Sequence, residues 1–352
     1  MSGTDDALEV EVPGYRVDIE READLIEEIA RFRGYDAVPS AVLPVAQPGG
    51  VPDGYALVDR ARDALAGAGL REVRQIPFVS ASDLTVSGDD PAVPVRNPLA
   101  SDEGHLRTAL LPGLLRTARR NLARGVRGAA LFEVGAVFRL TPDGDAEERR
   151  RVGIVVTGEI DEGLAAGRAA DALDAKGAVA SLLRELGVAW STGGAADLPF
   201  HPSRSAIILV DGVPVGAVGE MHPRVAARFD LPGRVAVAEL DLAPLGARPA
   251  LAVRDLPRFP PVRRDLAFVV DASVASGVLE GAIRAGGGDL VDEVRIFDRF
   301  VGGPLPTGKA SLAYAVTFRA ADRTLTDAEA DDAVAAIRDR VAREVGGELR
   351  AG

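Results

Sequence analysis

The final stretch of the chain, from Arg258 onward, alternates element types in an order that few folds can accommodate. Residues 265–270 show the period-two alternation of a strand, 274–285 carry apolar positions at helical spacing, and 290–299 and 310–318 again read as strands. A long helical run over 327–345 and a short strand near 348–350 complete the order β-α-β-β-α-β, that of the ferredoxin-like split repeat. Thr326 and Glu329 stand at the start of the long helix with the spacing of a capping box, in which each side chain satisfies an otherwise free backbone N–H.

Pro257, Pro260 and Pro261 mark a boundary before this unit, which is taken as residues 257–352. Ahead of it, over 46–256, the pattern is different. A helix is expected over 55–68, with Leu57, Val58, Ala61, Leu65 and Ala68 on one face, and then a strand over 72–79. Pro112 sits where a first helical turn tolerates it, ahead of a helix over 114–124; strands follow over 129–140 and 151–160, and a helix over 172–186. Asp211-Gly212 between two apolar alternations, 207–210 and 213–218, predicts a tight hairpin. Together these describe a mixed, largely antiparallel α+β domain. Prolines and the Gly49-Gly50 pair within 38–52 mark another connection, which leaves residues 1–45 as a first unit. Its strand at 8–12 and helix at 22–33, which Gly34 can end, bury little by themselves. It reads as the truncated end of a domain, expected to be loosely ordered alone.

Composition removes several functions. With 47% hydrophobic and 27% charged residues the chain falls within the soluble globular range. There is no cysteine, hence no disulfide framework, thiolate-bound zinc, iron–sulfur cluster or cysteine nucleophile. The acidic start, with Asp5, Asp6, Glu9 and Glu11, is no signal peptide, and no apolar run approaches a membrane span, so a cytoplasmic location is expected. A formal charge of −12 argues against coating nucleic acid by bulk charge. Most of that excess precedes Arg258; the terminal unit is nearly balanced and is the less repulsive place for a polyanion.

Asp24, Glu27 and Glu28 fall on one face of the 22–33 helix, with Asp18 just before it. Four carboxylates so arranged suit a hard cation such as Mg²⁺; they equally suit a solvated acidic face paired with Arg31. His105, His201 and His222 lack metal-ligand spacing, and His201-Pro202 and His222-Pro223 are read as turn histidines bonded to backbone. Ser203 and Ser205 lie beside His201 without a nucleophile elbow, and no phosphate-binding loop is present. In the terminal unit Arg263, Arg264, Arg299, Lys309 and Arg323, with Arg319, mix with Phe297, Phe300, Tyr314 and Phe318 on expected strands. Such a sheet can stack bases and neutralise phosphates; alternatively the aromatics fill the core and the arginines are ordinary surface.

Several of these segments share a resemblance. VPGYRVDIEREADLIEEIARFRGYDAVP (12–39), HLRTALLPGLLRTARRNLARG (105–125), LFEVGAVF (131–138), FHPSRSA (200–206), GAVGEMHP (216–223), RFPPVRRDLAFVV (258–270), GKASLAYAVTF (308–318) and DRTLTDAE (322–329) follow in order along the chain. They resemble the C-terminal portion of bacterial phenylalanyl-tRNA synthetase β subunits. The resemblance implies the end of a Mg²⁺-carrying domain, then a class II synthetase-like antiparallel module without catalysis, then a ferredoxin-like anticodon-binding domain. It also implies an α2β2 assembly in which the α subunit uses ATP to charge tRNA(Phe), and Mg²⁺ held by Asp18, Asp24, Glu27 and Glu28 at the junction with α. No catalytic residue is expected in this chain: Leu131 and Phe132 precede Glu133 where an active core would carry an arginine, and no glycine-rich, arginine-ended ATP motif follows. The family's N-terminal tRNA-binding and editing domains have no counterpart here. A free-standing RNA-binding or regulatory protein derived from such a subunit is the alternative, and an autonomous ligase the weakest reading.

Overall fold

The computed structural model describes residues 2–4, 7–41, 49–51, 54–86, 91–160, 167–246 and 256–350. Much of the expected connection over 38–52 therefore lies outside the described residues. The chain divides into two compact units, Met1–Val51 and Pro52–Gly352. In the first, β1 (Ser2–Thr4) and β2 (Ala7–Glu9) form an antiparallel hairpin, and α1 spans Glu22–Arg33. The strand expected at 8–12 sits earlier and is shorter, Ala7–Glu9, with Glu9 opposite Ser2. Helix α1 ends where Gly34 takes a positive φ of 84°, and it contains no buried residue.

The second unit opens with α2 (Tyr55–Gly67), whose Val58, Ala61 and Leu65 are buried. The strand expected over 72–79 is two short pieces. Arg71–Glu72 (β3) joins the main sheet, whereas Phe78–Val79 pairs with His105–Leu106 instead. The last backbone bond to the main sheet is from the Val73 N–H to the Phe132 carbonyl, and by Pro77 the segment has turned to the other partner, its carbonyl accepting from the Arg107 N–H. Then come α3 (Leu111–Leu122), β4 (Gly128–Leu140), β5 (Ala146–Ile160) and α4 (Ala172–Leu186). They are followed by β6 (Ser191–Thr192), β7 (Phe200–Val210), β8 (Val213–Met221), α5 (Pro223–Arg228) and β9 (Val235–Asp241).

These strands make an eight-stranded sheet of order β3-β4-β5-β9-β8-β7-β6, with Arg168–Ala169 added beside β5. Every pairing is antiparallel except β3 with β4. Asp211 and Gly212 both take positive φ, as a two-residue hairpin between β7 and β8 demands. Strand β5 begins five residues earlier than its apolar run because Ala146–Arg150 pairs with β4, placing Glu147 opposite Arg139. Both faces of the sheet are covered. Phe132, Ile154, Ala238 and Leu240 pack under α2 and α4, while Leu131, Val155, Val235 and Val237 pack under α3 and α5. That two-sided burial is why Val152–Val156 reads as an unbroken apolar run.

The terminal unit contains β10 (Val262–Asp271), α6 (Ser276–Gly287), β11 (Val291–Val301), β12 (Lys309–Phe318), α7 (Asp327–Val345) and β13 (Glu348–Leu349). The sheet order is β11-β12-β10-β13 with all pairings antiparallel, which is the ferredoxin-like arrangement anticipated above. Leu266, Phe268, Val270, Leu312, Tyr314, Val316 and Phe318 pack with Leu279, Ile283, Ile337 and Val341 of the two helices. Thr326 caps α7, accepting from the Glu329 N–H while Glu329 accepts from the Thr326 N–H. No helix among the described residues is long and apolar enough to cross a membrane.

Candidate functional site

Strand geometry divides the terminal sheet's charged side chains between two fates. Alternate residues point to opposite faces, and the residues that contact α6 and α7 hold one face. Arg263, Asp265 and Ala267 on β10 and Lys309, Ser311, Ala313 and Ala315 on β12 therefore line the other, which no helix covers among the described residues. Lys309 reaches Asp271 there at 3.3 Å. On edge strand β11, Arg295 lies opposite Ala315 and Phe300 opposite Ser311, so both join this open face. Arg264 has the opposite parity and donates to Asp327 at 2.8 Å and Asp331 at 3.1 Å on α7. Arg323 donates to Glu329 at 2.9 Å, and the capping N–H and this guanidinium hold the Glu329 carboxyl at about 2. Arg299 pairs with Leu312, past a bulge, on the helix-side parity of the exposed edge strand. Arg319 is tied to Asp292 and the Phe259 carbonyl.

The aromatics split too. Tyr314 and Phe318 are fully buried, and the Tyr314 hydroxyl donates to the Ser276 carbonyl at 2.8 Å. Phe297 is 50% and Phe300 42% exposed. Of the five nominated cations, Arg263 and Lys309 lie on the open face but at opposite ends of the β10–β12 ladder, and Arg264 and Arg323 are committed to the start of α7. Arg295 was missed by the sequence reading; its register opposite Ala315 is decided by the β11 bulges, which period-two counting does not see.

In the first unit three of the four carboxylates, Asp18, Asp24 and Glu28, are already engaged. Arg16 donates to Asp18 at 2.7 Å and to Glu28 at 2.6 Å, and Arg31 also pairs with Glu28. Asp24 accepts from the backbone N–H groups of Glu20, at 2.9 Å, and Arg21, at 2.8 Å, ahead of the helix. Glu27 is exposed. The hydrogen bond from Arg16 holds Asp18 at about 2, and the same guanidinium depresses Glu28. Among the described residues no three or more His, Asp or Glu side chains are placed to hold a metal ion. As arranged, these residues do not fit a divalent cation, because Arg16 occupies the space between Asp18 and Glu28.

The middle module places its charges inside. Arg107 donates to Glu133 at 2.8 Å with both side chains buried, and Gly135 leaves the room that the guanidinium needs, since a Cβ there would stand 2.5 Å from it. Burial raises the Glu133 carboxyl above its usual range despite that partner. Glu239 accepts from the Leu110 and Leu111 N–H groups, each at 3.1 Å, and from Arg151 at 3.2 Å. The signal for both acids was a lone Glu in an apolar strand. The histidines behave as turn residues: His201 Nδ1 accepts from the Ser203 N–H and His222 Nδ1 from the Arg224 N–H, with the rings stacked 6.2 Å apart. Ser205 donates to the His201 carbonyl at 2.7 Å, which spends its hydroxyl on the backbone.

Three family models match in sequence order. They are a tRNA synthetase B5 domain over residues 1–35, the phenylalanyl tRNA synthetase beta chain CLM domain over 39–242, and a ferredoxin-fold anticodon binding domain over 257–350. The fold and these matches define a chain built of tRNA-synthetase domains. It belongs to the phenylalanyl-tRNA synthetase β-chain family. It is 43% identical to the phenylalanine–tRNA ligase beta subunit of Symbiobacterium thermophilum over 99% of this chain and 40% of that protein. The corresponding subunit of Bifidobacterium longum is 36% identical over 97% of this chain and 44% of its own length, and that of Thermobifida fusca 38% over 95% and 45%. The chain thus spans less than half the length of these relatives. Among solved structures, a pyrrolysyl-tRNA synthetase from Desulfitobacterium hafniense aligns with a TM-score of 0.44 at 11% identity, over 63% of this chain and 74% of that one.

Proposed function

We propose that this chain is a non-catalytic portion of a phenylalanine–tRNA ligase β subunit, which binds the anticodon region of tRNA(Phe) and docks a catalytic α subunit in an α2β2 assembly. The observation that carries the RNA half is the open face of the terminal sheet. Arg263 and Arg295 stand toward one end of it and Lys309 with the exposed Phe300 toward the other, so phosphates find cations at either end and a base can stack on Phe300. Ala267, Ala313 and Ala315 lie between them, and Asp265, Asp271, Glu293 and Asp298 are on the same face. Division into 1–45, 46–256 and 257–352 assigns docking to the middle span and RNA to the last. ATP is consumed by the α subunit, and the complex works in the cytoplasm. Mg²⁺ at Asp18, Asp24, Glu27 and Glu28 belongs to this proposal only after rearrangement: Arg16 must release two carboxylates first.

Two measurements test it. Arg263→Glu with Arg295→Glu should weaken tRNA(Phe) binding by at least about tenfold and flatten its salt dependence, because fewer counterions are released. Equal affinity in the charge-reversed protein would remove the open face from the proposal. Mixing the chain with a catalytic α subunit should give a complex on gel filtration; tRNA binding without any such complex would move the reading to a free-standing RNA-binding protein.

A further inference from the structure

A cavity of about 390 Å³ opens on the α3 side of the eight-stranded sheet, within the roughly 300–1,000 Å³ typical of small-molecule sites. Its floor is built by Arg151 of β5 and Glu239 and Asp241 of β9, and Leu111, Phe200 and Ile207 supply apolar wall. Gly153 makes the arrangement possible. A Cβ at that position would stand 2.8 Å from both Leu110 and Leu114, so only glycine lets the start of α3 descend onto the strands. That descent brings two backbone N–H groups to Glu239, and Arg151 supplies the third partner.

Glu239 is thereby satisfied, and Arg151 is directed at acids, donating through Nε to one oxygen of Asp241 at 2.8 Å and through Nη1 to Glu239 and the Thr108 carbonyl. The other Asp241 oxygen accepts no hydrogen bond among the described residues, nor does the Asp197 carboxylate at the rim. Three carboxylates against one guanidinium leave the lining net negative. An anionic guest is repelled by that balance, and a purely apolar one would strip water from the Asp241 carboxylate without replacing it.

We infer that this cavity is a binding site for a small organic cation, a primary ammonium on a compact apolar body, with Asp241 receiving the ammonium and the Leu111–Phe200–Ile207 wall holding the body. The site goes beyond the function proposed above, which uses this module only for docking. It needs neither tRNA nor a catalytic subunit, so either reading can fail alone.

Calorimetric titration of the full chain with cyclohexylmethylamine, cyclohexylmethanol and cyclohexanecarboxylate tests it. The amine should bind saturably and at least about tenfold more tightly than the isosteric alcohol, the difference expected of one charge-assisted hydrogen bond of about 1.5–3 kcal/mol. The carboxylate should not bind. Asp241→Asn should reduce amine affinity to that of the alcohol. Asp197→Asn, an exposed rim change that leaves the buried ion network alone, should weaken the amine about threefold at low salt. Absence of saturable amine binding, equal amine and alcohol affinities, or an amine affinity indifferent to both substitutions would overturn the assignment. Should Asp241→Asn fail to fold, the Asp197→Asn result and the amine-to-alcohol ratio decide between the same two outcomes.

Discussion

The eight-stranded sheet and the four-stranded sheet treat charge in opposite ways. In the first, helices cover both faces, and its buried acids are paired with arginines: Glu133 with Arg107, Glu239 with Arg151 and Glu220 with Arg204. In the second, both helices lie on one face, and Arg263, Arg295 and Lys309 occupy the other. The difference teaches that the role of an arginine here follows from how many layers cover its strand. Inside two layers it neutralises a buried acid; on a bare face it stays exposed to solvent. Arg264 shows the rule within a single strand, since one step along β10 turns it from the open face to the acids of α7.

The harshest way to break the comparison is to remove one member of a buried pair. Arg107→Met strands Glu133 and should cost about 3–5 kcal/mol in urea unfolding, whereas Arg107→Met with Glu133→Leu should recover most of that loss. A neutral single variant would show that the pair is solvated and that the two sheets do not differ. The penalty also has a sign in pH. Burial raises Glu133, and a raised carboxyl favours the folded state most below its unfolded value of about 4.3, losing that advantage as pH rises through its folded value. The Arg107→Met penalty should therefore shrink on acidification toward pH 4.

Gly153→Ala tests the cover itself. Its Cβ collides with Leu110 and Leu114, and the overpacking should cost about 1–3 kcal/mol, read in the same unfolding experiment. In the terminal unit Thr326→Ala should cost about 1 kcal/mol by uncapping α7. The smallest effects belong to the exposed ion pairs. Arg264→Gln should change stability by less than about 1 kcal/mol and leave tRNA affinity unaltered, which contrasts with Arg263→Gln on the open face. For Glu329, held at about 2, the depressed value means a contribution present above the ordinary carboxylate range and lost as pH falls toward 2. Amide shifts of Thr326 and Glu329 should follow that titration while those of the buried strands stay still.

Local patterns carried most of the architecture. Helices α1, α4 and α7 occupy the residues their periodicity and caps specify, and Asp211-Gly212 turns as a two-residue hairpin must, because those signals act over a few residues of chain. The β-α-β-β-α-β order sufficed for the terminal unit's topology for the same reason. What no local pattern held was partnership across distance. The carboxylates of α1 were placed on one face correctly, yet Arg16, twelve residues before Glu28, settles between them. The aromatic and basic residues of the last strands could not be assigned to core or surface until register and the β11 bulges put Tyr314 inside and Phe300 out. Glu239 meets its helix N–H donors across about a third of the chain, since Leu110 lies 129 residues away. Side-chain periodicity is a property of the backbone and is written in sequence; which charges meet, and whether water reaches them, depends on layers that only close when the whole sheet has formed.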